Sequence, residues 1–305
     1  MSSNNMMCDL ETGVCGDAGE DAVETIDWNE PQRQVQLYYV TDPICSHCWA
    51  LEPVLRRFET QFGHYVRVRT VMGGLLASWD GFADAGNGIS RPADVAGHWR
   101  EVGEHSRMPI DGSLWLDNPV LSSYPPSRVF KVLQQKDEKL AGVFLRRARE
   151  AVFVWNRNIG QDQVLTDIVN AMGLDGAAIV EEAGSSEAQE MLEADFALSR
   201  SLGARGFPTI VLVNEERKGV KIVGARPLET YVAGLRQALL TEALQAKPVP
   251  ELAVMLQKEE RLFSKEIEIL YDLEQQEVGS FVQKELPSGS YTEKHILGEV
   301  YMERT

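Results

Sequence analysis

The chain has 305 residues, 44% of them hydrophobic and 25% charged, enough for a sizeable core and, at roughly 150 residues per domain, for two domains or one with a large insertion. Its 30 Lys and Arg face 46 Asp and Glu, a formal net charge of −16. Such a surface repels phosphates, which argues against nucleic acid and against an anionic bilayer as partners, and no run of about 18 apolar residues is available to span a membrane.

Residues 1–30 are rich in Asn, Ser, Gly, Asp and Glu and read as a polar arm. The arm lacks the basic start and apolar stretch of a signal peptide, so a cytoplasmic protein is expected. Cys8 and Cys15 lie on it, with Gly13 available for a turn between them. They are an auxiliary thiol pair whose options are two free thiols, a small disulfide hairpin or a relay to the main site at Cys45-Ser46-His47-Cys48.

Val35-Gln36-Leu37-Tyr38-Tyr39-Val40 has the aromatic and β-branched character of a strand, ended by Thr41-Asp42-Pro43. After Cys45-Ser46-His47-Cys48, apolar residues at Leu51, Val54, Leu55, Phe58 and Phe62 recur at helical spacing, with Gly63 as a stop. Val66–Val71 reads as a second strand, completing a βαβ unit.

Residues 77–203 look helical, most clearly over 92–107, 126–138, 139–155, 162–172 and 186–202. Ser186 with Gln189 fits a capping box, and Gly203 sits where a helix-ending glycine belongs. Two strands follow, Thr209–Val213 and Val220–Val223, then a helix carrying Leu228, Tyr231, Val232, Leu235 and Leu239, with Pro227 suited to its first turn.

A boundary is expected at Lys247-Pro248-Val249-Pro250. Beyond it a helix over about 251–271, a turn at Asp272 and a helix over about 274–285 suggest a helix-turn-helix or winged-helix module. Residues 251–305 hold 12 acidic and 6 basic side chains, a net of −6, which points to a protein partner rather than DNA.

Cys45-Ser46-His47-Cys48 carries the strongest chemical signal. A C-x-x-C at a helix start puts the first sulfur where unpaired N–H groups and the helix dipole favour a thiolate. Cys48, one turn on, is placed to resolve a mixed disulfide formed at Cys45. Cys45 is therefore expected as the exposed nucleophile and Cys48 as the buried thiol. His47 can add positive charge or a hydrogen bond to the Cys45 thiolate, lowering its pKa and making the disulfide a stronger oxidant. A zinc site needs about four ligands, and no second C-x-x-C or H-x-x-x-H is present, so neither metal nor cofactor is expected.

Gly206-Phe207-Pro208-Thr209 is the second signal. Proline is compatible with a strand start; it also suits a cis proline in a loop facing the C-x-x-C, where backbone can pair with an extended substrate. Leu75, Leu76 and Trp79 lead from the second strand into the helical region and are candidates for an apolar client surface beside Cys45. Trp79, Trp99, Trp115 and Trp155 read as core, with some available to line a groove above Cys45. His64, His98, His105 and His295 have no partner at ligand spacing and read as surface or packed residues. Gly86-Asn87-Gly88 reads as a loop.

Together these motifs resemble a thioredoxin fold, with Pro53 where thioredoxin-like helices carry a kink proline. The long helical stretch resembles the DsbA subgroup, and Asp42-Pro43-Ile44-Cys45-Ser46-His47-Cys48-Trp49 with Met72-Gly73-Gly74-Leu75 resembles cytosolic FrnE-like DsbA proteins. Trp115-Leu116, Leu121-Ser122-Ser123, Phe153-Val154, Lys265-Glu266-Ile267 and Tyr271-Asp272-Leu273 are similar to the SpxH (YjbH) adaptors, which deliver the transcription factor Spx to the ClpXP protease. The resemblance implies an α/β architecture: a thioredoxin domain from 31–76 and 204–246, a helical insertion over 77–203, and the C-terminal module. It implies Cys45, Cys48, His47 and Pro208 as catalytic residues and Phe207, Thr209, Leu75, Leu76 and Trp79 as substrate contacts. The leading expected function is a thiol–disulfide oxidoreductase or isomerase acting on protein thiols. The alternative is an adaptor with Spx-type and ClpXP partners, using the fold as a binding scaffold.

Overall fold

The computed structural model describes residues 34–305; the N-terminal arm with Cys8 and Cys15 lies outside the described residues. Strand β1 (Val35–Thr41) runs into helix α1 (Ser46–Phe62), which returns to strand β2 (Val66–Met72). β1 and β2 pair in parallel from Val35↔Val66 to Thr41↔Met72.

The chain next builds a helical layer. It comprises α2 (Pro92–Ser106), α3 (Leu114–Asp117), α4 (Tyr124–Lys136), α5 (Glu138–Arg149), α6 (Asp162–Ala171), α7 (Gly176–Ala183) and α8 (Ser186–Ser201). Strands β3 (Thr209–Val213) and β4 (Gly219–Val223) and helix α9 (Leu228–Leu239) close the sheet in the order β2-β1-β3-β4. β3 is antiparallel to both β1 and β4. A βαβ unit joined to a β-hairpin and a helix is the thioredoxin fold, here interrupted between β2 and β3 by the helices.

Two apolar cores hold this half. Leu37, Leu51, Leu55, Phe58, Tyr231 and Leu235 pack between the sheet, α1 and α9. Met72, Trp49, Phe130, Phe144, Phe153 and Leu192 belong to the larger core that includes the helical layer. The outer edge of β2, which would otherwise offer free backbone groups, is closed by side chains. Met72 N–H donates to Asp195 at 2.9 Å, Thr70 N–H donates to Glu138 at 3.0 Å, and Gln134 donates to Thr70 O at 2.9 Å.

Local differences from the sequence expectation have identifiable causes. Ser185, not Ser186, caps α8, accepting the Ala188 N–H at 3.2 Å, and the Gln189 amide turns instead to Glu193 and Arg128. The stretch from residue 139 to 155 ends in a π-helical turn at Glu150–Val154.

The C-terminal module is richer than a helix pair. It runs α10 (Leu252–Glu259), β5 (Arg261–Phe263), α11 (Ser264–Tyr271), α12 (Val278–Glu285), β6 (Tyr291–Ile296) and β7 (Glu299–Arg304), with an antiparallel sheet in the order β5-β7-β6. That is a winged-helix order. The single helix expected over 251–271 is broken at Glu260, whose φ of 63° no helix tolerates, so that Arg261–Phe263 can pair with Tyr301–Glu303.

The module has its own core around Leu256, Leu262, Ile267, Leu270 and Val282. It also reaches into the larger core, where Phe263 meets Trp49 edge-to-face at 5.7 Å and Tyr301 at 5.8 Å. Ion pairs surround this contact. Arg146 is bidentate to Glu266 at 2.8 and 2.9 Å and bonds Glu150 at 2.8 Å; Arg261 reaches Glu150 at 2.7 Å, and Arg107 reaches Glu268 at 2.6 Å. Burial alone would lower the Arg146 pKa, but the carboxylates of Glu266 and Glu150 outweigh it and hold the guanidinium charged.

Candidate functional site

The site begins where β1 ends. Asp42 is fully buried and accepts the Ile44 N–H at 3.1 Å, the Leu75 N–H at 2.7 Å and the Ser123 hydroxyl at 2.8 Å. One carboxylate thereby ties the loop before the C-x-x-C to the loop after β2 and to the helical layer. Burial pushes its pKa up to about 6, against the lowering effect of those donors and of Arg149. Asp42 O also accepts the Cys45 N–H at 3.2 Å, starting the turn into α1.

Cys45 is the N-cap of α1, in extended conformation, and its Sγ accepts the Cys48 N–H at 3.1 Å. The sulfur thus takes one of the donors that a helix start leaves unpaired. Cys45 and Cys48 form a disulfide with Cα atoms 5.2 Å apart. In this oxidised state Cys45 is 5% exposed and Cys48 0%. The exposed Cys45 expected from sequence is therefore corrected: in the disulfide form the residue is buried.

His47 departs further from expectation. Its ring lies 5.5 Å from that of His98, and its pKa is lowered by desolvation first, then by His98 and His105. Near neutral pH it supplies no positive charge to Cys45, and the hydrogen bond to that sulfur comes from backbone instead. His98, read from sequence as an unpartnered residue, is its neighbour.

The loop after β2 explains two glycines. A Cβ on Gly73 would lie 2.0 Å from the Phe207 ring, so only glycine lets that ring in. Gly74 has φ +72° and sits against Phe196. The Phe207–Pro208 bond is cis. Pro208 O accepts the Gly224 N–H at 2.8 Å, and the Thr209 hydroxyl donates back to Gly206 O at 2.8 Å. Thr209 is fully buried with its hydroxyl turned inward, which corrects its expected place among substrate contacts.

A cavity of about 630 Å³ opens beside the disulfide. Of the predicted residues, Cys45, His47, Leu75, Leu76, Trp79 and Phe207 line it, while Cys48, Pro208 and Thr209 are buried and do not. Sequence reasoning missed His98, Arg205, Phe82 and Ile89. Trp99 and Trp115, left open as core or groove, are both buried and in its wall, whereas Trp155 packs elsewhere, on Tyr301 and Arg261. The Gly86-Asn87-Gly88 segment is a loop, held by Asn87 donating to Asp84 at 2.7 Å, and it forms part of the rim. Among the described residues no cluster of three or more His, Cys, Asp or Glu is arranged to hold a metal ion.

A redox-capable C-x-x-C at the first helix of this sheet, facing a proline loop and roofed by inserted helices, defines a thioredoxin-fold protein with a DsbA-like insertion. A family profile described as thioredoxin matches residues 38–233. The ClpXP adapter protein SpxH of Halalkalibacterium halodurans is 30% identical over 284 residues, covering 92% of this chain and 91% of its own. The protein of the same name from Shouchella clausii is 31% identical over 272 residues, covering 88% and 87%. Among solved structures, the cytosolic disulfide reductase DsbM of Pseudomonas aeruginosa shares the fold at a TM-score of 0.51 and 20% identity, over 67% of this chain and 95% of its own. The chain belongs to the thioredoxin family and, within it, to the SpxH group.

Proposed function

We propose that this chain is an adaptor that binds a protein client, of the Spx type, and presents it to the ClpXP protease in the cytoplasm. One observation carries this reading: a relative named for that role aligns over 92% of the chain, a span too long to leave out the C-terminal module. In this reading the thioredoxin part (31–76 and 204–246) and insertion (77–203) form the client-binding body. The module (251–305) supplies an acidic surface, where opposite charge on a partner speeds encounter. Its interlocked ion pairs hold the two faces in fixed relation. A degradation assay with the full chain, ClpXP and an Spx-type client tests it. The full chain, and equally its Cys45→Ala/Cys48→Ala variant, is expected to accelerate client loss; no acceleration by the full chain refutes the reading.

A second reading, thiol–disulfide exchange with protein thiols, is favoured by the position of Cys45. A client thiolate attacks Cys45 Sγ, the Cys45–Cys48 bond breaks, and Cys48 leaves as a thiolate next to the helix N-terminus. A second client thiolate then attacks the client sulfur of this mixed disulfide, releasing Cys45 as a thiolate and leaving the client oxidised. In the opposite direction the Cys45 thiolate of the reduced form opens a client disulfide, and Cys48 attacks Cys45 to release the client thiol and close the Cys45–Cys48 bond. With Cys48→Ser, mixed disulfides at Cys45 are expected to accumulate on gels run without reductant; their absence counts against exchange.

A further inference from the structure

The chain's excess of carboxylates stops at one edge of the cavity. Residues 196–214 and 217–228 hold Arg200, Arg205, Arg217, Lys218, Lys221 and Arg226 and no Asp or Glu, in a chain of 46 acids against 30 bases.

The fold sorts these cations. β3 and β4 pair from Val213↔Gly219 at the hairpin turn to Thr209↔Val223 at the other end, next to which Gly206, Phe207 and Gly224 enter the cavity wall. Lys218 pairs with Glu216 near the turn, at 2.8 Å. Arg205, Lys221 and Arg226 belong to the cavity end. Arg205 lines the cavity itself, Lys221 donates to Gly203 O at 2.9 Å, and Arg226 donates to Val223 O at 3.0 Å. All three are exposed, and none has a carboxylate at ion-pair distance among the described residues. Each of those backbone bonds uses one N–H of its side chain and leaves the charged head open to a further partner.

The rest of the lining differs. Trp79 and Phe82 are only partly buried and Leu75 is 36% exposed, so apolar surface is on offer. Asp84, a carboxylate in the lining, is already held by Asn87 at 2.7 Å within its own loop. Backbone is available too. The Phe207 N–H and C=O, just outside the β3 ladder, make no backbone bond among the described residues. Free backbone groups beside a cavity of about 630 Å³ suit an extended chain that places one side chain inside. The cations decide which chain. Basic flanks would meet like charge at this edge, whereas Asp or Glu beside the inserted residue meets the opposite charge.

Building on the client-binding reading above, we propose that this edge docks an extended acidic client segment, an apolar side chain entering the cavity and neighbouring Asp or Glu meeting Arg205, Lys221 and Arg226.

The test uses the full chain, oxidised and labelled with nitrogen-15, titrated with capped heptapeptides. The parent probe is Glu-Glu-Ser-Leu-Ser-Glu-Glu; its counterparts carry Gln for every Glu, Lys for every Glu, or Ser for Leu. The parent is expected to move the Gly206 and Gly224 amide signals. At low salt it is expected to bind about three- to thirty-fold more tightly than the Gln peptide, the effect of up to three exposed ion pairs. Salt at about 0.5 M, where the screening length falls to roughly 4 Å, should close most of that gap. Arg205→Glu/Lys221→Glu/Arg226→Glu is expected to make the Lys peptide bind more tightly than the Glu peptide. Lys139→Glu, at an exposed cation outside the lining, should leave the order unchanged. Equal binding of the Glu and Gln peptides, or an order unchanged in the triple variant, overturns the proposal. So does a Ser-for-Leu peptide that binds as well as its parent, which would mark ion exchange at the rim without use of the cavity. If the triple variant does not fold, the Glu-to-Gln contrast, its salt dependence and the Gly206 and Gly224 shifts on the unaltered chain decide. Binding is measured without protease or exchange chemistry. A failed degradation assay with an intact acidic preference therefore sinks the adaptor reading alone, and equal peptide binding alongside client degradation sinks this proposal alone.

Discussion

Helix α1 treats polar groups in different ways at its start and about two turns further on. At its start, Cys45 and His47 line an open cavity, and the imidazole has another imidazole beside it. From Glu52 to Arg56, the same helix enters a closed ionic layer. Glu52 pairs with Arg149, and Arg56 pairs with Glu259 and lies 3.4 Å from Glu266. The contrast separates two uses of burial. Where carboxylates and guanidinium groups interlock, the groups hold modules in register; at the helix start, Cys45 and His47 line the cavity instead.

The largest effect is expected where the ionic layer is broken. Glu266 is fully buried and holds Arg146 bidentately while lying beside Arg56. Glu266→Ala leaves two guanidinium groups short of a carboxylate in a dry interface, a loss of about 3–5 kcal/mol. The urea midpoint of the full chain should fall accordingly. The double variant Arg146→Met/Glu266→Leu, which removes both charges, should recover most of it, because the guanidinium also stacks 4.7 Å over Trp49 and methionine keeps apolar contact there. An unchanged midpoint for Glu266→Ala would show that apolar packing through Phe263 alone seats the module.

What sequence reasoning could read follows the same divide. Strands β1 to β4, helix α1 and the C-x-x-C were legible because each announces itself within a few residues, by alternation, by helical spacing or by a motif. Leu75, Leu76 and Trp79 were reachable because they follow β2 directly. His98, Trp99 and Trp115 sit on α2 and α3, and only the folded helical layer carries them to Cys45. The ionic layer has no local signature either, since its partners Arg146 and Glu266 lie 120 residues apart. Strand β5 was hidden for a related reason. It has three residues, and its partner strand begins near Glu299, so the apolar run through Leu262 and Phe263 reads as more helix. Thr209 misled because a residue after the proline looks accessible until β3 is seen to bury it.

Asp42 sharpens the comparison from between the two regions, since it is satisfied like the ionic layer yet belongs to the site. Its folded pKa of about 6 lies above the unfolded value of 3.8, with burial the main cause. Between about pH 4 and 6 the folded chain therefore keeps a proton that the unfolded chain has lost. Stability from this group is full below the unfolded pKa and is lost as pH rises through 6, by about 3 kcal/mol for a shift of this size. In Asp42→Asn that slope should disappear. The check is the difference in unfolding free energy between parent and variant from pH 4 to 7, which should move against the parent as pH rises. A flat difference would mean that the donors from Ile44, Leu75 and Ser123 fully compensate the buried charge.

His47 should give the smallest effect, and the sign of its pH dependence is opposite to that of Asp42. Desolvation and the neighbouring His98 hold its folded pKa below 6.5, so folding favours the neutral ring. The unfolded chain takes up the proton first as pH falls, and any stability from this residue is present above 6.5 and lost below it. At pH 7 the ring carries no charge to lend to Cys45, whose sulfur is already served by the Cys48 N–H. His47→Ala should therefore move the Cys45 thiol pKa in the reduced protein by less than about half a unit, below roughly 0.7 kcal/mol. Alkylation rates across pH measure this directly. A drop of a full unit or more in the parent relative to the variant would mean that His47 is an imidazolium beside the thiolate. The start of α1 would then be a charge-paired region like the one that follows it, and the contrast between the two would fail at its most exposed residue.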